Sequence, residues 1–293
     1  MAALPPPFSV TAHPYRTRVQ GGVAYELGPT SAKNAIVFVG GLFDGPHTVN
    51  YTRPLAKLLE NSSDLDYSVF EIRMRSSFIG FGTSSLKNDV EDISALVKYL
   101  RSIGREKIVL FGHSTGCQDC MEYSDYDKHG NVPVDAFILQ APVSDREMLK
   151  LHFSNYDELL ELSEKMCANG EENELIPAKM IPDDFDAPIT AYRLRSLLAK
   201  GGDDDYFSSD LDEATRAGFW GRFKKPVLIM NSEEDEYVPI HVNPNALLKS
   251  YMDLNPVISK LSGYIPEANH AVTDPDAQRW MVQSVLAFLR TLE

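Results

Sequence analysis

The chain has 293 residues, 43% hydrophobic and 24% charged, with 42 acidic against 28 basic side chains and a net charge of −14. This length and balance fit one large α/β domain, or a core with an insertion, with enough chain to bury a substantial apolar interior. The acidic excess argues against nucleic acid or an anionic membrane as partner, and no stretch reaches the ~18 apolar residues that cross a bilayer. Residues 1–8, with three prolines in a row and no basic or apolar leader, read as a short extended arm of a cytoplasmic protein. The three cysteines make no disulfide framework. Cys117 and Cys120 form a C-x-x-C without a second Cys or His pair nearby, so they read as buried helix side chains rather than a metal or redox site.

Residues 23–27 suggest an early strand after an irregular N-terminal segment. Residues 35–39 (AIVFV) are continuously apolar, the pattern of a strand covered on both faces of a parallel sheet. They run into Gly40-Gly41-Leu42-Phe43-Asp44-Gly45, a loop rich in residues that tolerate unusual backbone angles. Tyr51, Leu55, Leu58 and Leu59 keep helical spacing, and residues 67–72 form the next strand. Leu86, Val90, Ile93, Val97 and Leu100 trace a stripe of period 3.6, with Gly104 as a natural stop. A strand over 107–111 then enters Gly112-His113-Ser114-Thr115-Gly116, a helix follows to about residue 126, and another buried strand spans 134–139. Strict alternation of strand and helix implies a mostly parallel sheet with right-handed crossovers.

Alternation stops near Asp145. Residues 145–222 hold nine basic against eighteen acidic residues, a net −9 of the chain's −14. They show helical patches, including 189–200, and no convincing strand. Asp203-Asp204-Asp205 lacks the spaced carboxylates of a calcium loop and reads as a solvated loop or cap. We therefore expect a helical cap over 145–222 and a core formed by 1–144 and 223–293. The core resumes with strands at 227–230 and 256–265, and ends in a helix opened by Asp274-Pro275.

The chemistry centres on G-x-S-x-G. In a nucleophile elbow the serine occupies a strained strand-to-helix turn, and side chains at the flanking glycines would collide with it. About 0.1 chance matches are expected in a chain of this length, so the surrounding elements carry the assignment. Ser114 is the expected nucleophile. An acid should follow a late strand: Asp235, three residues before Val238-Pro239, is favoured over Glu233, Glu234 and Glu236, which should face solvent. A base should lie between the last strand and the last helix, where His270 stands. His13, His47, His113, His129, His152 and His241 are placed less well, and His113 should face away from Ser114. The backbone N–H groups of Thr115 and Leu42 are the expected oxyanion donors, with Phe43 in place of Leu42 as the alternative.

With these residues in order, the chain resembles the α/β-hydrolase superfamily over nearly its whole length. The segments Gly40–Gly45, Ser76–Ser84, Gly112–Asp119 and Asp204–Asp210 further resemble a fungal family that includes the esterases opening fusarinine C and triacetylfusarinine C. That resemblance implies an α/β-hydrolase fold with a helical cap. It also implies an intracellular serine esterase cleaving siderophore esters to free iron, with no cofactor and no metal. Other readings are a carboxylesterase or lactonase on another small ester, and a non-catalytic module using the pocket as a receptor site. A small-molecule ester is the expected partner, and the oligomeric state is left open.

Overall fold

A computed structural model describes residues 6–19, 21–183, 185 and 187–293, so residues 1–5 of the expected arm lie outside the described residues. The elements run β1 (Thr11–Arg16), β2 (Gly21–Leu27), β3 (Asn34–Val39), α1 (Thr52–Glu60), β4 (Tyr67–Arg73), α2 (Leu86–Ser102) and β5 (Ile108–His113). They continue with α3 (Gly116–Tyr123), α4 (Tyr126–His129), β6 (Ala136–Gln140), α5 (Asp145–His152), α6 (Tyr156–Ala168), α7 (Ala191–Leu198) and α8 (Glu213–Trp220). β7 (Val227–Ser232), α9 (Pro244–Leu254), β8 (Gly263–Ile265) and α10 (Pro275–Arg290) complete the chain. Among the described residues one sheet of eight strands forms in the order β1-β2-β4-β3-β5-β6-β7-β8. β1 and β2, and β2 and β4, pair antiparallel; every other pair is parallel.

The apolar runs explain the layering. Every residue of β3, β5 and β6 is buried, and successive side chains alternate between two cores. Val37, Val39, Ile108, Leu110, Phe137 and Leu139 pack on one face with α2, α3 and α9. Ile36, Phe38, Val109, Phe111 and Ile138 pack on the other with α1 and α10. Burying each such side chain is worth roughly 1.5–3 kcal/mol, so the three central strands form a rigid platform. The helices begin where the sequence supplies caps. The Ser85 side chain accepts from Asn88 N–H, Ser144 from Glu147 N–H, and Asp274 from Ala277 N–H ahead of Pro275.

Several boundaries differ from the sequence expectation. β1 forms where an irregular segment is expected; it is an edge strand with mostly exposed residues, so no apolar alternation marks it. Residues 256–265 yield only β8 and a single bridge between Val227 and Ile258, because the polar run Ser259-Lys260 and the turn at Ser262 break the pairing. The helix after the elbow splits at Ser124 into α3 and α4. His241 precedes α9 rather than opening it, since Asn243 is the cap and Pro244 the first helical residue. Between β6 and β7 the chain forms α5 to α8, whose segment contributes Leu149, Phe153, Phe185, Leu194 and Leu198 to a third apolar cluster with Phe81 from the loop before α2. Asp203 is exposed there, but Asp204 and Asp205 are buried. Asp204 pairs with Arg193 at 2.5 Å and Asp205 with Arg146 at 3.2 Å. Neither is part of a solvated loop; each neutralises an arginine within the helical segment.

Candidate active site

β5 delivers Ser114 to the C-terminal edge of the sheet, and α3 starts two residues later. Ser114 has a φ of 53°, the strained left-handed conformation of an elbow, which costs a non-glycine residue about 1–3 kcal/mol. The structure shows why glycines flank it. A Cβ on Gly112 would collide with the carbonyl of Gly116, and one on Gly116 with the carbonyl of Val39. The Ser114 N–H donates to the Gln140 carbonyl at 3.0 Å, which ties the elbow to β6.

The structure brings the expected acid and base to this serine. His270 Nε2 lies 2.8 Å from Ser114 Oγ, and His270 Nδ1 lies 2.9 Å and 3.0 Å from the two Asp235 carboxylate oxygens. The side chains of His270 and Asp235 are 6% and 3% exposed, so both act in a medium of low dielectric, where hydrogen bonds to charge are strengthened. Asp235 sits in the loop after β7 and is held by the Tyr237 N–H at 3.0 Å. Glu233, Glu234 and Glu236 are exposed, as expected. Glu236 nonetheless accepts the His270 N–H at 2.8 Å and Glu233 accepts the Glu267 N–H at 3.0 Å. Two of the surface acids therefore brace the histidine loop.

The glycine loop lies against the serine. Residues 41–44 make a turn closed by Asp44 N–H to the Gly41 carbonyl at 3.1 Å, and the Asp44 carboxylate accepts the Gly41 N–H at 2.9 Å. Phe43 takes the left-handed position of that turn, with φ 64°. The N–H groups of Leu42, Phe43 and Thr115 make no hydrogen bond to any described residue, and all three residues line the pocket above Ser114.

Polar residues that sequence reading missed hold these groups in place. Gln140, the last residue of β6, accepts from the Tyr51 hydroxyl at 3.0 Å and sits 2.5 Å from His113 Nδ1. Its amide donates to the His270 carbonyl at 3.2 Å. His113 does not face away from the site: its ring centroid is 5.1 Å from that of His270. Burial, then the neighbouring His270, pushes the His113 pKa down to about 4, so it stays neutral at pH 7. Asp145, at the start of α5, accepts from the Thr115 hydroxyl at 3.1 Å and from the Gln118 amide at 2.7 Å. Burial pushes its carboxyl up to about 7. Gln140 carries one faint sequence signal, a polar residue closing an apolar strand. Asp145 carries none.

The pocket over Ser114 has a volume of about 300 Å³, with Met148, Leu149, Phe153 and Phe185 supplied by the helical segment. No group of three or more potential metal-ligating side chains occurs among the described residues. Cys117 and Cys120 are buried thiols, whose pKa values burial raises. No described helix is long and apolar enough to cross a membrane.

The chain is similar along its length to proteins of fungi. It is 33% identical to a UPF0613 protein of Schizosaccharomyces pombe, covering 95% of this chain and 96% of that one. It is 28% identical to the fusarinine C esterase sidJ of Aspergillus fumigatus, covering 92% of each chain. Among solved structures, the siderophore hydrolase EstB from Aspergillus fumigatus superposes with a TM-score of 0.81 at 25% identity, covering 97% of this chain and 98% of that one. The strand order, the elbow at the C-terminal edge and these likenesses identify an α/β-hydrolase fold. Over residues 1–290 the chain matches, and belongs to, the family described as "protein of unknown function (DUF1749)".

Proposed function

We propose that this chain is a serine hydrolase of carboxylic esters, acting through an acyl-enzyme on Ser114. The observation that carries the reading is the unbroken line of contacts from Ser114 Oγ to His270 Nε2 at 2.8 Å and from His270 Nδ1 to Asp235 at 2.9 Å. In the first step His270 takes the hydroxyl proton as Ser114 Oγ attacks the ester carbonyl, and Asp235 stabilises the imidazolium. The carbonyl oxygen becomes an oxyanion held by the N–H groups of Leu42 and Thr115, each such donor being worth about 3–4 kcal/mol in the transition state. Collapse expels the alcohol, which leaves with the proton from His270. Water, deprotonated by His270, then attacks the acyl-enzyme and releases the carboxylic acid and free Ser114.

Residues 145–222 act as a cap over the core of 1–144 and 223–293. This is supported by Met148, Leu149, Phe153 and Phe185, which line the site from that segment. The substrate class we favour is the ester linkage of a fusarinine-type siderophore, cleaved inside the cell to release iron. It is supported by the names of the two Aspergillus fumigatus relatives.

Purified wild type and Ser114→Ala test the mechanism on ferric and iron-free fusarinines beside p-nitrophenyl esters. A fluorophosphonate probe should label wild type only. The variant should lose on the order of 10⁴-fold or more in kcat. Full activity in Ser114→Ala overturns the nucleophile assignment; turnover of simple esters without fusarinines overturns the substrate class alone.

A further inference from the structure

The rings around the catalytic pocket fall into two groups. His270, Tyr237 and His152 form one, with centroid distances of 4.6 Å between Tyr237 and His270 and 5.7 Å between His152 and Tyr237. Phe43, Phe81, Phe153 and Phe185 form the other. Phe185 stands at its centre, 5.3 Å from Phe43, 5.5 Å from Phe81 and 5.1 Å from Phe153. The proton-transfer step assigns substrate halves to these groups. The departing alcohol oxygen must lie within reach of His270 Nε2, among the first group. The acyl substituent then turns toward the second, on the side of the loop that carries the Leu42 N–H.

Size and charge narrow what fits. A pocket of 300 Å³ holds about ten non-hydrogen atoms at roughly 30 Å³ each. The ester's own carbon and two oxygens leave about seven atoms to be shared by the acyl chain and the near end of the alcohol. The ionisable side chains lining the pocket are Asp44, Asp145, Tyr237 and three histidines, and no lysine or arginine is among the described residues that line it. A carboxylate-bearing acyl group would meet like charge and no cation.

Phe185 has a second face. It also lines a separate cavity of about 550 Å³ in the helical segment, open to solvent on one side and walled by Leu175, Ile176, Pro177, Ile181, Pro182 and Asp183. Phe185 is 5% exposed, so its ring is the partition between the two spaces.

We propose that Phe185 is the specificity-determining wall of an acyl pocket for short acyl groups that carry no negative charge, and that it shuts off a second cavity which would otherwise admit longer chains. The proposal rests on the ester-hydrolase reading and adds the half of the ester that is selected. A large substrate is thus read through one arm, the remainder staying outside the pocket.

The test compares wild type with Phe185→Ala, Phe185→Leu and Phe185→Trp. The substrates are p-nitrophenyl esters from acetate to dodecanoate, and butanoate esters of progressively larger alcohols. The readout is the ratio of kcat/KM for dodecanoate to that for butanoate, which does not depend on the fraction of folded protein. Wild type should discriminate against dodecanoate by tenfold or more, since misfit in an apolar pocket is worth about 10–200-fold per group. Phe185→Ala should raise the ratio about tenfold or more, Phe185→Leu by less, and Phe185→Trp should lower it. Alcohol size should matter little in every variant. Unchanged ratios in all three variants, or wild-type selectivity for the alcohol and not the acyl chain, overturn the proposal. Absence of turnover on every ester by wild type overturns the ester-hydrolase reading itself.

Discussion

Gly41→Ala is the sharpest probe of how the glycine loop works. A Cβ built on Gly41 lies 2.7 Å from Ser114 Cβ, 3.2 Å from Ser114 Oγ and 3.3 Å from the His113 carbonyl oxygen. Carbon atoms rest at ~3.5–4.0 Å, so either the loop or the serine must move by about 1 Å. The serine is the stiffer side, because its N–H is bonded to β6 at 3.0 Å and Gly116 packs against the Val39 carbonyl. The displacement therefore falls on residues 41–44, and with them on the Leu42 N–H. A shift of 1 Å in a catalytic constellation costs about 10²-fold in rate, or roughly 2.7 kcal/mol of transition-state stabilisation. The assay is kcat/KM for p-nitrophenyl butanoate, with circular dichroism to show that the fold is kept and fluorophosphonate titration to count reactive serines. The expected variant is folded and about a hundredfold slower. A folded Gly41→Ala protein within threefold of wild type would refute both the contact and the role of the loop in holding the oxyanion.

Asp235→Asn should keep the fold and lower kcat by about 10⁴-fold, because the amide supports the wrong histidine tautomer; a loss below tenfold would leave another acid to be found. Stability should fall as pH rises from 6.5 to 8, measured by thermal melts at fixed ionic strength. The Asp89 and Asp145 carboxyls are pushed up by burial from 3.8 to about 7, so the folded state holds their protons more tightly and loses that advantage as pH passes 7. His113, depressed from 6.5 to about 4, works in the opposite sense, but only below 6.5, which is why the fall is read above that value. Asp89→Asn should flatten the slope, and a melt independent of pH across this window in wild type would contradict the buried-acid account.

The parts of the site that the sequence announces are those fixed by local sterics. Gly112 and Gly116 are demanded by carbonyls that lie within a few residues or one strand away, and the apolar run before Ser114 declares its strand. Asp235 and His270 follow from chain order, because each occupies the loop after a strand at the same edge of the sheet. Residues whose role depends on distant partners are silent. Asp145 meets Thr115 and Gln118 across 30 and 27 positions, and Gln140 meets Tyr51 across 89; no spacing rule connects them. Asp204 reads as solvated because nothing local shows that Arg193 is buried against it. β1 escapes notice for a different reason: its residues are mostly exposed, so the physical signal that marks a strand, burial of one face, is absent there.

The burial of Arg193 ties the helical segment to the core. Arg193 is 2% exposed and lies on α7 of the helical segment, yet the charges acting on it include Asp204 of its own segment, Asp89 of α2 and Asp145 of α5. Asp119, from the elbow helix α3, is held well above the usual carboxylate range by burial and by the acids around it, with Arg193 working against that rise. One guanidinium cannot neutralise four buried carboxylates, so protons must remain on some of them, as the raised Asp89 and Asp145 values require. Removing one partner of such a buried set typically costs about 3–5 kcal/mol, which makes the segment hard to lift from the core as a rigid body. Asp145 belongs to this set and also accepts from the hydroxyl of Thr115, which lines the pocket. One of the residues that seat the helical segment on the core is therefore bonded to the residue that follows Ser114.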